Sequence, residues 1–247
     1  MDRLIHTGLS ALRAIQTRQT AVANNIANAS TTGFRAEMTS VQPLWLTGPG
    51  LPDRAVASGE VASANMAGGS VTMTGRPLDI ALNGDALLAV QAPDGEESYT
   101  RRGDLQLAAS GLLTTGDGHP VLGEGGPVTI PEADSVRVDG EGVVWVVPTG
   151  GDANAPQRVD RLSLASPAGS KIVKALDGLF RVRGGGTLPA DPDARVTSGA
   201  LEGSNVDATS ALVGMIDAAR AWEHQIKLMA TARELDTSTA NLMRLPS

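Results

Sequence analysis

The chain of 247 residues has no cysteine, which excludes a disulfide framework and any cysteine-based zinc site and says nothing of redox compartment. Aromatic residues make up only 2%, whereas Gly (29) and Pro (14) are plentiful. That balance favours many short strands joined by turns over a bundle packed on large rings. No stretch approaches the roughly 20 apolar residues of a membrane span, so direct membrane insertion is not expected. The N-terminus MDRLIHTGLSALRAIQ lacks a basic start followed by a long apolar run, so no cleavable secretory signal is expected there, and export would need another route. The formal net charge of −7 argues against nucleic acid as a partner, because a phosphate backbone attracts basic surfaces.

Catalytic patterns are also missing. His6, His119 and His224 are scattered, with no pair spaced i, i+4 for a metal. His119 beside Asp117 sits in a Gly-rich turn with no nucleophile motif, which makes it a turn histidine rather than an acid–base pair. Gly184-Gly185-Gly186 leads into Thr187, Leu188 and Pro189, which do not open a helix, so no phosphate cradle is expected. Asp79, Asp85 and Asp104 read as turn and surface-pairing acids. Neither catalytic residue, cofactor nor metal is expected, and the reading is of a non-enzyme.

What the sequence does contain is a helix at each end. Ile5, Leu9, Leu12, Ile15, Val22 and Ile26 recur at spacings of three and four, with Gln19 in the remaining position. The opposite side carries Ser10, Ala14, Thr17, Ala21, Asn24 and Asn28, with Asn25 beside them, and no acid or lysine lies between Arg3 and Arg35. Two readings of that chargeless back face stand: a solvated polar surface, or close helix packing on both sides with asparagines fixing register as they do in coiled coils. The missing charges favour the second. Gly33 is expected to cap this helix in a left-handed conformation, with Phe34 folded back on the last turn. A second stripe, Met215, Ala219, Trp222, Ile226 and Met229, continues with a phase shift through Ala232, Leu235 and Leu242. Neither helix hides its stripe alone, so the two termini are expected to pack as an antiparallel or near-antiparallel pair.

Between Glu37 and Ser70 the chain is poor in charge and shows no sustained period, which reads as an extended connector. From Val71 onward, alternating runs at Leu78 to Leu82, Leu87 to Gln91, Asp104 to Leu107, Val128 to Ile130, Ser135 to Val138, Val143 to Val147 and Leu162 to Leu164 predict strands. Asn83-Gly84, Asp94-Gly95, Ser110-Gly111, Asp117-Gly118, Asp139-Gly140 and Asp177-Gly178 supply positive-φ positions for the hairpins. The expected fold class is α+β: a discontinuous, coiled-coil-like helical region from both termini, with an inserted antiparallel all-β domain and an extended connector. The expected divisions are residues 1–35 (N-terminal helix), 36–70 (connector), 71–198 (β domain) and 199–247 (C-terminal helix).

Four segments carry a family resemblance. ANNIANASTTGFR (Ala23 to Arg35) resembles the N-terminal signature of the flagellar rod and hook (axial) proteins. GRPLDIALNGDALLAV (Gly75 to Val90) and YTRRGDLQLAASGLLTTGDGHPVLG (Tyr99 to Gly123) are similar to successive segments of that family's β domain. GALEGSNVDATSALVGMIDAARAWE (Gly199 to Glu223), which includes Asn205, resembles its C-terminal signature. Ala86, Leu87 and Leu88 stand where many relatives carry paired phenylalanines. MDRLIHT with NASTTGFRA resembles the proximal rod members more than the distal ones.

The resemblance implies a structural subunit of the bacterial basal-body rod, crossing the periplasm, whose terminal helices form the inner layer of a hollow helical shaft that transmits motor torque. It implies as partners copies of the chain, other proximal rod subunits, the distal rod protein and the flagellar export apparatus. Asn24, Asn25 and Asn28 would lie in a seam between helices of neighbouring subunits. The implied assembly interface comprises the two stripes with Gly33, Phe34 and Asn205. A distal rod or hook-type subunit is the alternative within the family. A soluble periplasmic β-domain binding protein is the alternative from another class.

Overall fold

A computed structural model describes residues 2–48, 51–175 and 177–242, with side chains for residues 7–40, 63–175, 177–235 and 237–239. The chain divides into two compact units. One comprises residues 1–27, 37–62 and 207–247; the other comprises residues 28–36 and 63–206.

The first unit is built on two helices, α1 (Asp2–Ala27) and α2 (Ala208–Leu242). Asp207 starts α2: its carboxylate accepts the N–H of Thr209 (2.9 Å), a donor that a helix N-terminus leaves open, and the hydroxyl of Ser210 (2.7 Å). The 35 residues of α2 give it a length of about 50 Å. Gly8 lies against Met229 and Gln225, while Val22 lies against Gly214, so the two helices run antiparallel. A Cβ on Gly8 would sit 3.2 Å from Met229 Cγ, so the absence of a side chain permits the close approach. The segment expected to be a connector carries two paired strands, Glu37–Gly48 and Leu51–Ala64.

α1 stops at Ala27, six residues before the expected glycine cap. Asn28, Ala29 and Ser30 form a turn closed by the Thr31 N–H on the Asn28 carbonyl (3.1 Å). Short polar side chains compete with helical hydrogen bonding, and a run of them ends the helix first.

The second unit is a set of antiparallel sheets. The largest has five strands in the order Leu164–Ala165, Leu87–Gln91, Glu97–Thr100, Phe180–Val182, Ile172–Lys174. A three-stranded sheet joins Ala133–Val138, Val143–Pro148 and Gln157–Arg161. Strand Leu87–Gln91 shows why the run reads apolar throughout: Leu88 and Val90 enter the main core, whereas Leu87 and Ala89 enter a second one with Tyr99, Phe180 and Leu188. The main core is aliphatic, with Ile80, Leu105, Leu113, Val121, Val144 and Leu162 among its members, which explains how it closes with so few rings. Val128 to Ile130 forms no strand; Thr129 makes only an isolated bridge with Leu112, though Val128 and Ile130 are buried.

Five of the six expected hairpin glycines have positive φ: Gly84, Gly95, Gly111, Gly118 and Gly178. In the sixth turn the conformation belongs to Gly142 rather than Gly140, because Asp139 accepts the N–H groups of both Glu141 and Val143 and thereby lengthens the loop. Asp79 pairs with the exposed Arg76 at 3.7 Å, as expected, but is itself buried and also accepts the Thr74 hydroxyl at 2.7 Å.

Replacing Leu88, which has no exposure, with alanine is expected to cost about 3 kcal/mol through lost burial and a cavity. The urea midpoint of the purified chain checks this.

Candidate assembly interface

The helical unit has more apolar surface than it covers. At about 100° per residue, Gly214, Ala218, Gln225 and Met229 share one flank of α2, the flank that meets α1. Ala218, at 0% exposure, is the most deeply covered of them. Across the helix, Leu212, Val213, Ile216 and Ile226 remain 46–55% exposed, and Leu228 and Leu235 are exposed on a further flank. Leucine and isoleucine at such positions are not what a helix fully solvated on that side carries.

Of the expected stripe on α1, Leu12, Ile15, Val22 and Ile26 are half-buried and Leu9 is 41% exposed. Ile5 lies in α1, with its side chain outside the described residues, as does that of Leu242 in α2. On α2, Met215, Trp222 and Met229 are half-buried, whereas Ala219, Ile226 and Leu235 are exposed. Sequence periodicity missed Leu212, Val213 and Ile216. They belong to no single stripe, and their signal is that apolar residues continue around the helix.

The asparagines do something the sequence reading did not foresee. Asn25 grips the backbone of Glu37 from both sides, its Nδ2 donating to the Glu37 carbonyl (3.0 Å) and its Oδ1 accepting the Glu37 N–H (2.7 Å). Asn24 Nδ2 donates to the Glu37 carboxylate. Ser10, Ala14 and Ala21, on the same side of α1, are buried within the chain itself. The small, chargeless back face thus has an occupant in the single chain, since α1 packs against strand Glu37–Gly48 as well as α2. Asn28 Oδ1 accepts the Thr31 hydroxyl (3.1 Å) in the turn after the helix.

Gly33, Phe34 and Asn205 belong to the other unit. Gly33 has φ +67°, as expected, but caps no helix. Its N–H donates to the Glu202 carbonyl at 2.7 Å, and a Cβ would lie 2.5 Å from the Arg101 backbone. The Phe34 ring lies 3.5 Å beneath the Lys174 ammonium. Asn205 Oδ1 accepts the Ala36 N–H (2.7 Å), and its Nδ2 donates to the carbonyls of Asn65 and Ala67.

Beside them lies a buried ion cluster. Glu202 Oε1 accepts Arg35 Nη2 (2.7 Å) and the Gly69 N–H (2.8 Å); Oε2 accepts Arg101 Nε (2.9 Å) and Nη2. Burial opposes ionisation of Glu202, but the hydrogen bonds from Arg35 and Gly69 and the charge of Arg101 outweigh it and hold the carboxyl below its usual range. Asp117 pairs with Arg102, and the His119 N–H donates to Thr115 Oγ1, so both serve their turn. Among the described residues, no cluster of His, Asp and Glu forms a metal site, and no helix is long and apolar enough to cross a membrane.

An antiparallel helix pair with uncovered apolar flanks, carried with a unit of antiparallel sheets, defines a structural chain of the assembling kind. Comparison with known proteins agrees. Residues 5–35 match the flagella basal body rod protein model, residues 81–146 the D1 domain model of the flagellar hook protein FlgE/F/G, and residues 197–242 the C-terminal model of the flagellar basal body rod FlgEFG protein. The chain is 40% identical over 237 residues to the flagellar basal-body rod protein FlgF of Escherichia coli strain K12, covering 94% of each chain. It is 38% identical over 251 residues to that of Salmonella typhimurium, covering 99% of this chain and all of the relative. Against the flagellar basal-body rod protein FlgG of Bacillus subtilis the identity is 29% over 274 residues, covering 99% of this chain and all of the relative. The chain belongs to the flagellar basal-body rod protein family, a structural family and not an enzyme family.

Two outcomes follow from the geometry. Gly33→Ala is expected to destabilise the chain by at least about 2 kcal/mol, since it adds a left-handed penalty to a backbone collision; the urea midpoint reads it. Because the folded-state pKa of Glu202 is lowered, its contribution is present above the unfolded carboxyl range of about pH 4–5 and is lost as pH falls through the folded value. Unfolding midpoints should therefore fall on acidification, and by less in Glu202→Gln.

Proposed function

We propose that the chain is a subunit of the proximal basal-body rod and polymerises through α1 and α2 into a helical shaft that transmits motor torque. The observation that carries this reading is the apolar flank of α2 formed by Leu212, Val213, Ile216 and Ile226, which the chain's own helix pair leaves exposed. Covering such half-exposed side chains stabilises by about 1 kcal/mol each, and repetition along a screw axis that does not close multiplies the effect.

The interface is assigned to the exposed and half-buried helix residues Leu9, Leu12, Ile15, Val22, Ile26, Met215, Ala219, Trp222, Ile226, Met229 and Leu235, joined by Ile5. Leu212, Val213 and Ile216 extend it. Coiled-coil-like packing between neighbouring copies suits the antiparallel pair. In this scheme residues 1–35 and 199–247 form the assembling region, 36–70 the connector and 71–198 the β domain. Asn24, Asn25, Asn28, Gly33, Phe34 and Asn205 contribute by holding the chain segments that leave the helices.

The partners are copies of the chain, other proximal rod subunits and the distal rod protein, reached through the flagellar export apparatus, with the rod crossing the periplasm. Higher identity to the FlgF proteins of Escherichia coli and Salmonella typhimurium (40% and 38%) than to the FlgG protein of Bacillus subtilis (29%) supports the proximal assignment that the N-terminal resemblance implies.

The double variant Leu212→Asp/Ile216→Asp tests the reading. Both residues face away from α1, so the free chain should lose less than about 1.5 kcal/mol of stability. In cells whose own copy is deleted, the variant should fail to support swimming and should be missing from isolated basal bodies. Normal swimming and incorporation would contradict the proposal.

A further inference from the structure

Three stretches of chain cross at the ion cluster: residues 33–37, 65–70 and 202–205. They are sewn together by the Gly33 N–H on the Glu202 carbonyl, the Asn205 N–H on the Phe34 carbonyl, the Gly203 N–H on the Ser70 carbonyl and the Asn65 N–H on the Ala36 carbonyl. Just upstream, strand Val196–Ser198 pairs with Ile80–Leu82, and strand Ala200–Glu202 pairs with Val71–Met73. The segment from 196 to 205 therefore completes two sheets and the crossing together.

Glu202 supplies the anion of the cluster. Arg35 is 167 residues away in sequence and Arg101 is 101 residues away, and both guanidinium groups are buried. The two arginines are held differently. Arg101 also donates to the carbonyls of Leu82, Gly84 and Ala86, so the backbone satisfies much of its fork without Glu202. Arg35 has no comparable support: its Nη2 bonds Glu202, while its Nε and Nη1 are buried with no hydrogen-bond partner among the described residues. A buried cation in that condition is tolerated only while its counter-charge is in place.

We infer that residues 196–205 are a closing latch for the β unit, with the Glu202 carboxylate as the bolt that lets Arg35 be buried. Synthesis runs from the N-terminus, so Arg35 and Arg101 exist long before Glu202 does. Until Glu202 arrives, closing the unit would bury two positive charges with no anion between them, and the open chain, in which water solvates both, is favoured. The β unit thus stays open until nearly the whole chain is available. The latch concerns the folding of the chain and holds whatever the chain assembles into. Its use in keeping the chain unfolded for export rests on the rod reading above.

Hydrogen exchange of the full-length chain, read by mass spectrometry on peptides from the core strands Leu87–Gln91 and Val143–Pro148, tests the latch. Such strands exchange through opening of the whole unit. In Glu202→Gln their exchange should rise by about a hundredfold or more, or the unit should be open altogether. Adding Arg35→Met, which removes the stranded cation, should recover at least about tenfold of that loss or restore the fold. Two results overturn the inference. One is faster exchange confined to residues 33–37, 65–73 and 200–205 with the core strands unchanged. The other is a double variant no better than Glu202→Gln alone, whether slow or unfolded. Swimming assays do not enter, so failure of the latch and failure of the rod reading are told apart.

Discussion

A helix that carries large aliphatic side chains on opposite flanks cannot bury both within a two-helix pair, and that constraint governs this chain. α2 spends its Gly214–Ala218–Met229 flank on α1 and still exposes Leu212, Val213, Ile216 and Ile226. The close approach depends on small residues, because Gly8 and Gly214 let Met229 and Val22 come in against the opposing backbone. α1 in turn is occupied on two sides, by α2 and by strand Glu37–Gly48, which Asn24 and Asn25 hold at its first residue. Among the described helix residues, most of the exposed large apolar side chains therefore lie on α2, and the family to which the chain belongs assembles with other rod and hook proteins.

The β unit solves a different problem with the same economy of side chains. Its main core is aliphatic and its second core is organised around Tyr99, whose hydroxyl accepts the Leu188 N–H and donates to Glu97, both at 2.7 Å. Burial and the neighbouring Glu97 push that phenol well above its ordinary pKa, so it remains a hydrogen-bond donor throughout the physiological range. Where residues 33–36 and 202–205 meet within this unit, polar groups take over from apolar ones. Arg35, Arg101, Glu202 and Asn205 bind segments that lie far apart in sequence, and charge with directional hydrogen bonds specifies such a crossing more sharply than aliphatic contact does.

Much of this was legible in the sequence. Both terminal helices, the run Leu87 to Gln91 and five turn glycines are local signals, each set by a few neighbouring residues, and each is observed. The expected helix stop at Gly33 failed because a positive-φ glycine looks alike in a cap and in a close backbone crossing; only the fold brings Arg101 against it. Asn24 and Asn25 stand on the chargeless back of the predicted helix, yet their partner Glu37 lies beyond the end of that helix, in a stretch whose pairing leaves no local period. Asp79 reads as a surface-pairing acid because local spacing does not report burial of the carboxylate itself, and the burial of Glu202 depends on Arg35 and Arg101, both distant in sequence. On α2 the predicted stripe is only partly covered, with Ala219 and Ile226 exposed, and the exposed Leu212, Val213 and Ile216 lie off it.

The absence of cysteine makes the central claim directly measurable. A single Ile216→Cys variant that still supports swimming can be labelled with a maleimide both as the free chain and within isolated basal bodies. Rapid labelling of the free chain and strong protection in the basal body is the predicted result. Equal labelling in both states would show that this flank of α2 faces water in the working structure, and would contradict the account.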